Sequence, residues 1–189
     1  MSKRGLLLVV SGPSGVGKGT ASKLLLSRNN NLSYSISATT RTARAGEEHG
    51  VNYYFLARGE FFDMVEQNGF LEWAEVYGNF YGTPKFAVEQ MLDDGKDVVM
   101  ELDAQGAMQL GELYPDGVFI FIMPPSWEEL ERRIVSRGSE TPESLACRLS
   151  AAKQEMPLAA NYDYVVINDD LVRMVEEIEQ IIEKERARC

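Results

Sequence analysis

Apolar residues fall in short, nearly continuous runs at 6–10, 98–102, Val118–Met123 and Tyr164–Ile167, rich in Val, Ile and Phe. Such runs suit strands covered on both faces, and the stretches between them carry helical spacing. Together they predict a mainly parallel α/β sheet. A further short strand is expected near 34–37. From 37 to 91 the pattern changes: 51–56, Phe70–Val76 and 79–81 mix aromatic and turn residues, as small antiparallel strands of an inserted module do. Pro124-Pro125 closes one run, and Ser126 caps a helix expected to reach about Arg137, with Gly138 as its stop. Thr141-Pro142-Glu143 opens another helix, with a hydroxyl at N-cap and proline at N1. Leu171, Met174, Val175, Ile178, Ile181 and Ile182 mark a C-terminal amphipathic helix.

The first run feeds directly into Gly12-Pro13-Ser14-Gly15-Val16-Gly17-Lys18-Gly19-Thr20, and a helical pattern follows from 21 to 27. Strand, glycine-rich turn, lysine and helix start make a phosphate cradle, because curled backbone N–H groups and the positive helix end converge on one anion. Lys18 is placed to reach the outer phosphates of a nucleotide. Gly19 occupies the slot where Ser or Thr normally supplies a magnesium ligand, and the hydroxyl comes one residue later at Thr20.

The 189 residues are enough for one domain with a sizeable core. A formal net charge of −10, from 19 basic and 29 acidic side chains, argues against a general binder of nucleic acid or anionic membrane. A nucleotide must then be captured by local Arg and Lys clusters. Cys147 and Cys189 form no disulfide framework, so a reducing, cytoplasmic setting is expected. No stretch approaches a membrane span, and nothing points to an obligate protein partner.

Arg41 and Arg44 stand three apart in a polar turn-forming stretch, with Tyr53 and Tyr81 downstream. Guanidinium pairs bind phosphate bidentately, although such a loop also suits plain solvation. Glu72 alternates with Leu71 and Trp73. A carboxylate accepts two parallel hydrogen bonds, matching the N1–H and 2-amino edge of guanine, while Ser37 and Thr83 carry hydroxyls for O6. Taken alone, Glu72 suits a surface acid better than a base-reading group. Glu101 and Asp103 end the 98–102 run, where ligands gather in an open α/β sheet, and a helix cap competes as their role. Arg133 and Arg137 share a helix face, and Arg148 lies on the next helix. These are candidates to neutralise a transferring phosphoryl group. His49 is the only histidine and has no metal-ligand partners in sequence.

Seven stretches in order resemble guanylate kinase: GPSGVGKGT at 12–20, SATTRTARAGEEHGVNYYF at 37–55, FLEWAEVYGNFYGT at 70–83, ELDAQGA at 101–107, RRIVSRGSE at 132–140, CRLSAAKQE at 147–155 and INDDL at 167–171. The resemblance implies a three-layer P-loop NTPase fold with a mainly parallel five-stranded core at 1–36, 92–125 and 157–189. It adds a mixed α/β GMP-binding module at 37–91 and a helical lid at 126–156. It implies transfer of a phosphoryl group from ATP to GMP, with Mg2+ accompanying ATP. Ser37, Glu72 and Thr83 would hold guanine, and Arg41, Arg44, Tyr53 and Tyr81 the GMP phosphate, with Asp103 beside the nucleotide. Lys18, Arg41, Arg133, Arg137 and Arg148 would be the catalytic cations, and Asn168 would lie near adenine. Thr20 is the expected metal ligand.

Three positions depart from the commonest pattern of that family. Ala43 replaces a frequent proline, which predicts a less rigid arginine loop. Glu101 replaces a common Asp, and Gly19 the usual Ser. Two other readings share parts of this pattern: a non-catalytic protein-binding module of the same shape, and a nucleoside monophosphate kinase for another base.

Overall fold

The structure is a computed structural model that describes residues 4–76, 78–136 and 142–188. In chain order the elements begin β1 (Leu7–Ser11), α1 (Lys18–Arg28), β2 (Leu32–Tyr34), β3 (Ala38–Thr39), β4 (Tyr54–Phe55), α2 (Arg58–Glu66), β5 (Phe70–Val76) and β6 (Asn79–Pro84). They continue with α3 (Lys85–Asp93), β7 (Asp97–Glu101), α4 (Ala104–Leu113), β8 (Val118–Met123), α5 (Trp127–Ser136) and α6 (Pro142–Glu155). A short 3-10 helix (Met156–Asn161), β9 (Tyr164–Ile167) and α7 (Leu171–Arg188) complete the chain.

The predicted runs form a five-stranded sheet in the order β2-β7-β1-β8-β9, with every neighbouring pair parallel. Alternate residues of each strand go to opposite faces. Leu8, Val10, Val99, Ile120, Ile122 and Val166 pack with α1, α5, α6 and α7. Leu7, Val9, Val98 and Met100 pack with Val88 and Leu92 of α3 and Leu110 of α4. At the sheet's other end the buried Asp97 accepts the Leu6 N–H at 2.8 Å and pairs with Arg186, tying the end of α7 to β7.

The inserted segment forms a second sheet, β4-β3-β6-β5. Its β5–β6 and β3–β6 pairs are antiparallel as expected, but β4 runs parallel to β3. Of the residues expected as a strand at 34–37, only Tyr34 lies in one, at the end of β2, and 35–37 form the link to β3. Phe61, fully buried on α2, stacks on Phe70 with ring centroids 4.4 Å apart and packs with Phe80 and Ala38. Truncating a core ring of this kind costs about 3–5 kcal/mol, so the aromatic cluster fixes where β5 and β6 present their polar residues. Because Val88 and Leu92 belong to the main core, α3 crosses the expected module boundary at 91 and joins the two sheets.

Candidate active site

The candidate residues gather at the C-terminal ends of the parallel strands. β1 ends at Ser11, whose hydroxyl donates to Leu102 O at 2.9 Å and ties the ends of β1 and β7 together. The loop that follows turns through Gly12 at φ 145° and Gly17 at φ 106°. A Cβ at Gly12 would sit 2.4 Å from Ile122 O, and one at Gly17 would sit 2.6 Å from Asn168 Nδ2, so both positions require glycine. The first turn of α1 carries no acidic residue, which leaves the positive helix end available to an anion. Lys18 Nζ donates to Gly12 O at 2.5 Å and to Pro13 O at 3.4 Å, folded over its own loop.

Three elements brace this loop. Asn168, buried just past β9, donates its amide to Val16 O at 2.7 Å and its backbone N–H to Met123 O at 2.8 Å. Arg133 of α5 donates to Asn168 O at 3.0 Å and Val16 O at 3.5 Å, while Glu129 receives its Nε at 2.7 Å. On the other flank, Arg148 of α6 donates from Nε and Nη2 to the Ser14 hydroxyl at 3.2 and 2.7 Å. Arg137 lies outside the described residues. An open groove of about 400 Å3 runs beside the loop, lined by Gly15, Gly17, Thr20, Arg133, Asn168 and Asp169. Another concavity, about 610 Å3, lies near the opposite ends of the strands and holds none of the candidate residues.

The second half of the site comes from the inserted sheet. Arg41, just after β3, forms two hydrogen bonds to Glu47, at 2.9 and 3.0 Å, and its guanidinium lies 5.5 Å from the Tyr53 ring centroid. Tyr81 meets the Tyr53 ring edge-on with centroids 6.0 Å apart, and Glu47 further accepts the Arg44 N–H at 2.8 Å. The arginine loop is therefore pinned by Glu47, which the sequence reading did not single out. The Arg44 side chain is exposed. Thr83, buried on β6, donates to Glu72 of β5 at 2.7 Å. Ser37 immediately precedes β3, where its carbonyl accepts the Tyr54 N–H at 2.9 Å.

Asp103 caps α4, accepting the Gly106 N–H at 2.7 Å. A Cβ at Gly106 would lie 3.4 Å from Asp103 Oδ1 and 3.5 Å from Glu72 Oε2, so the two acids converge on the start of α4. Burial raises the Glu72 carboxyl above its ordinary value, the Asp103 charge adds to the rise, and the Thr83 bond opposes it. Glu101 lies beside the phosphate loop, with Oε2 3.5 Å from a Cβ position on Gly19. Thr20 is exposed on the first turn of α1. Among the described residues no cluster of three His, Cys, Asp or Glu side chains forms a metal cage. A hydroxyl with one carboxylate nearby fits Mg2+ that keeps its waters and arrives on phosphates.

The guanylate kinase family model matches residues 4–185. The chain belongs to the guanylate kinase family. It is 54% identical over 186 residues to the guanylate kinase of Clostridium tetani, covering 98% of this chain and 89% of that protein. It is 52% identical over 188 residues to the guanylate kinase of Caldanaerobacter subterraneus, covering 100% and 91%. The crystal structure of guanylate kinase from Anaplasma phagocytophilum aligns with a TM-score of 0.76 at 38% identity, over 97% of this chain and 87% of that one. Shikimate kinase from Bacteroides thetaiotaomicron shares the fold alone, with a TM-score of 0.52 at 16% identity. As expected of the family, the main sheet is a five-stranded parallel P-loop kinase sheet. Among the described residues no helix is long and apolar enough to cross a membrane.

Proposed function

We propose that this guanylate kinase family member transfers the γ-phosphoryl group of ATP to GMP, releasing ADP and GDP, with its own residues divided between two nucleotides. The reading rests above all on one juxtaposition. The phosphate loop and a carboxylate suited to guanine lie at the same end of the molecule: Asp103 converges with Glu72 on Gly106, and the neighbouring Leu102 carbonyl holds Ser11 at the head of the phosphate loop.

A GMP phosphate oxygen attacks the γ-phosphorus, and the bond from that phosphorus to the β,γ-bridging oxygen breaks. The protein's share of such a reaction is in-line positioning and charge stabilisation. Backbone N–H groups of 12–20 and the Lys18 ammonium hold the ATP phosphates, Lys18 exchanging its loop carbonyls for phosphate oxygens. Adenosine lies in the groove beside Asn168, whose side chain acts chiefly by bracing Val16. Arg41, with Arg44, Tyr53 and Tyr81, holds the GMP phosphate, and Glu47 keeps the Arg41 fork aimed before substrate arrives.

Glu72 accepts from guanine N1–H and the 2-amino group, while Ser37 and Thr83 serve the remaining edge and Asp103 flanks it. Arg133, Arg137 and Arg148 belong to the 126–156 lid, where closure brings guanidinium charge to the transferring group and excludes water. Mg2+ bound with ATP would neutralise phosphate charge, and Thr20 with Glu101 would hold it or its waters. The intact Lys18 and glycines give no support to a non-catalytic module.

The test is product identification from ATP and GMP by chromatography, with wild type and Lys18→Ala side by side. Equal yields of ADP and GDP are expected from wild type, with the variant slower by about 10²–10³. ADP without GDP, or full activity in the variant, overturns the reading.

A further inference from the structure

A phosphate cradle works only if its backbone N–H groups face the anion, and one peptide of the 12–20 loop has no intrinsic reason to do so. Gly17 stands at φ 106° and ψ 18°, and glycine takes positive and negative φ about equally. The peptide joining Val16 to Gly17 can therefore turn over. In a trans peptide the carbonyl and the following N–H point in opposite directions. Whatever holds the Val16 carbonyl thus also aims the Gly17 N–H. Asn168 holds it, donating its side-chain amide to Val16 O at 2.7 Å in a buried contact. Asn168 is itself fixed at both ends. Its N–H donates to Met123 O at 2.8 Å, and its carbonyl accepts from Arg133 Nη2 at 3.0 Å. The fit is close, since a Cβ on Gly17 would lie 2.6 Å from Asn168 Nδ2. With the Val16 carbonyl turned to Asn168, the Gly17 N–H turns away from it. The next residue opens α1, whose first turn carries no acid, so the N–H and the helix end add at one anion site.

We propose that Asn168 is a positioning residue that aims the Gly17 N–H at the nucleotide phosphates by holding the Val16 carbonyl away from them. The proposal rests on the reading of 12–20 as the ATP phosphate site. Without the amide, the peptide can turn its carbonyl toward the anion, and a charge-assisted hydrogen bond gives way to a repulsion. The role is then blind to the base. It acts on the phosphates of whatever nucleotide occupies the loop, which separates it from an asparagine that reads adenine.

Calorimetric titration of wild type, Asn168→Ala and Asn168→Leu tests this, with thermal melts alongside. The probes are Mg-ADP, GMP and Mg-tripolyphosphate, an inorganic chain of phosphates with no base. Each variant is expected to weaken Mg-ADP and Mg-tripolyphosphate by the same factor, about tenfold, and to leave GMP within about twofold. Wild-type affinity for Mg-tripolyphosphate in both variants overturns the proposal. A loss confined to Mg-ADP also overturns it, because it marks a contact with adenine. So does an equal loss for all three probes that follows the fall in melting temperature, which marks a merely structural role. The leucine variant keeps the side chain's bulk in case alanine does not fold. The Gly17 amide of 15N-labelled wild type supplies a check that needs no variant. Its proton resonance is expected to move downfield on adding Mg-tripolyphosphate, and no movement overturns the proposal. These are binding readouts, so a wild type that binds Mg-ADP without phosphorylating GMP defeats the proposed function and still leaves Asn168 tested.

Discussion

The Thr83 hydroxyl donates to Oε1 of Glu72 at 2.7 Å, one strand reaching across to the next. The bond fixes the carboxylate's orientation and leaves its remaining lone pairs for a ligand. Glu72→Gln turns one acceptor into a donor facing the guanine 2-amino group. We expect kcat/KM for GMP to fall roughly 10²–10⁴, as loss of charge-assisted hydrogen bonds in a partly buried site implies. Steady-state kinetics with GMP varied at saturating ATP measures it, and a change below about threefold removes Glu72 from the base site.

The raised Glu72 carboxyl sets two pH trends of opposite sign. Guanine donors need the ionised form, so KM for GMP is expected to rise on acidification, beginning above the ordinary carboxylate value of 4.5. Without ligand, the folded state holds the Glu72 proton more tightly than the unfolded chain does. Its contribution to stability is therefore full below the unfolded pKa and is lost as pH rises through the folded pKa. Glu72→Gln should flatten both trends. Parallel profiles of KM and melting temperature check this, and an unchanged acidic limb in the variant counts against it.

Glu47 holds both terminal nitrogens of Arg41, at 2.9 and 3.0 Å. Without that carboxylate the guanidinium samples orientations that miss the GMP phosphate. Glu47→Ala is expected to raise KM for GMP about three- to tenfold, since the loss is of orientation and not of the cation itself. KM for ATP should not move. Equal shifts in the two constants, or none, exclude the orienting role.

Gly12→Ala places a Cβ 2.4 Å from Ile122 O at a φ of 145°. Backbone strain of this kind costs about 1–3 kcal/mol, and a domain this size loses about 2–4 °C in Tm per kcal/mol. A lower melting temperature with weakened Mg-ADP binding is expected by calorimetry. A variant that melts and binds like wild type shows that the loop adapts.

How far these features were legible in the sequence depended on how local their causes are. The phosphate loop depends on glycine spacing within nine residues, so it was readable directly, and the continuous apolar runs gave the parallel sheet. Glu72 and Arg41 were ambiguous as residue types and gained roles only through ordered resemblance. The bracing amide of Asn168 reaches Val16 across 152 positions, a pairing no local pattern encodes. The absence of proline at position 43 suggested a looser loop, whereas Glu47 pins that loop through three hydrogen bonds. The parallel pairing of β4 with β3 was missed because two-residue strands carry no periodicity.

The central claim is that a guanine site and an ATP site share one end of this sheet. The most direct test is initial phosphoryl transfer from Mg-ATP to GMP and to AMP by the unmodified protein, compared as kcat/KM. The account predicts a preference for GMP of several orders of magnitude, about 10³ or more, as expected where a site's buried polar groups match one base and are left unpaired by the other. Comparable rates for the two acceptors, or a preference for AMP, would contradict it.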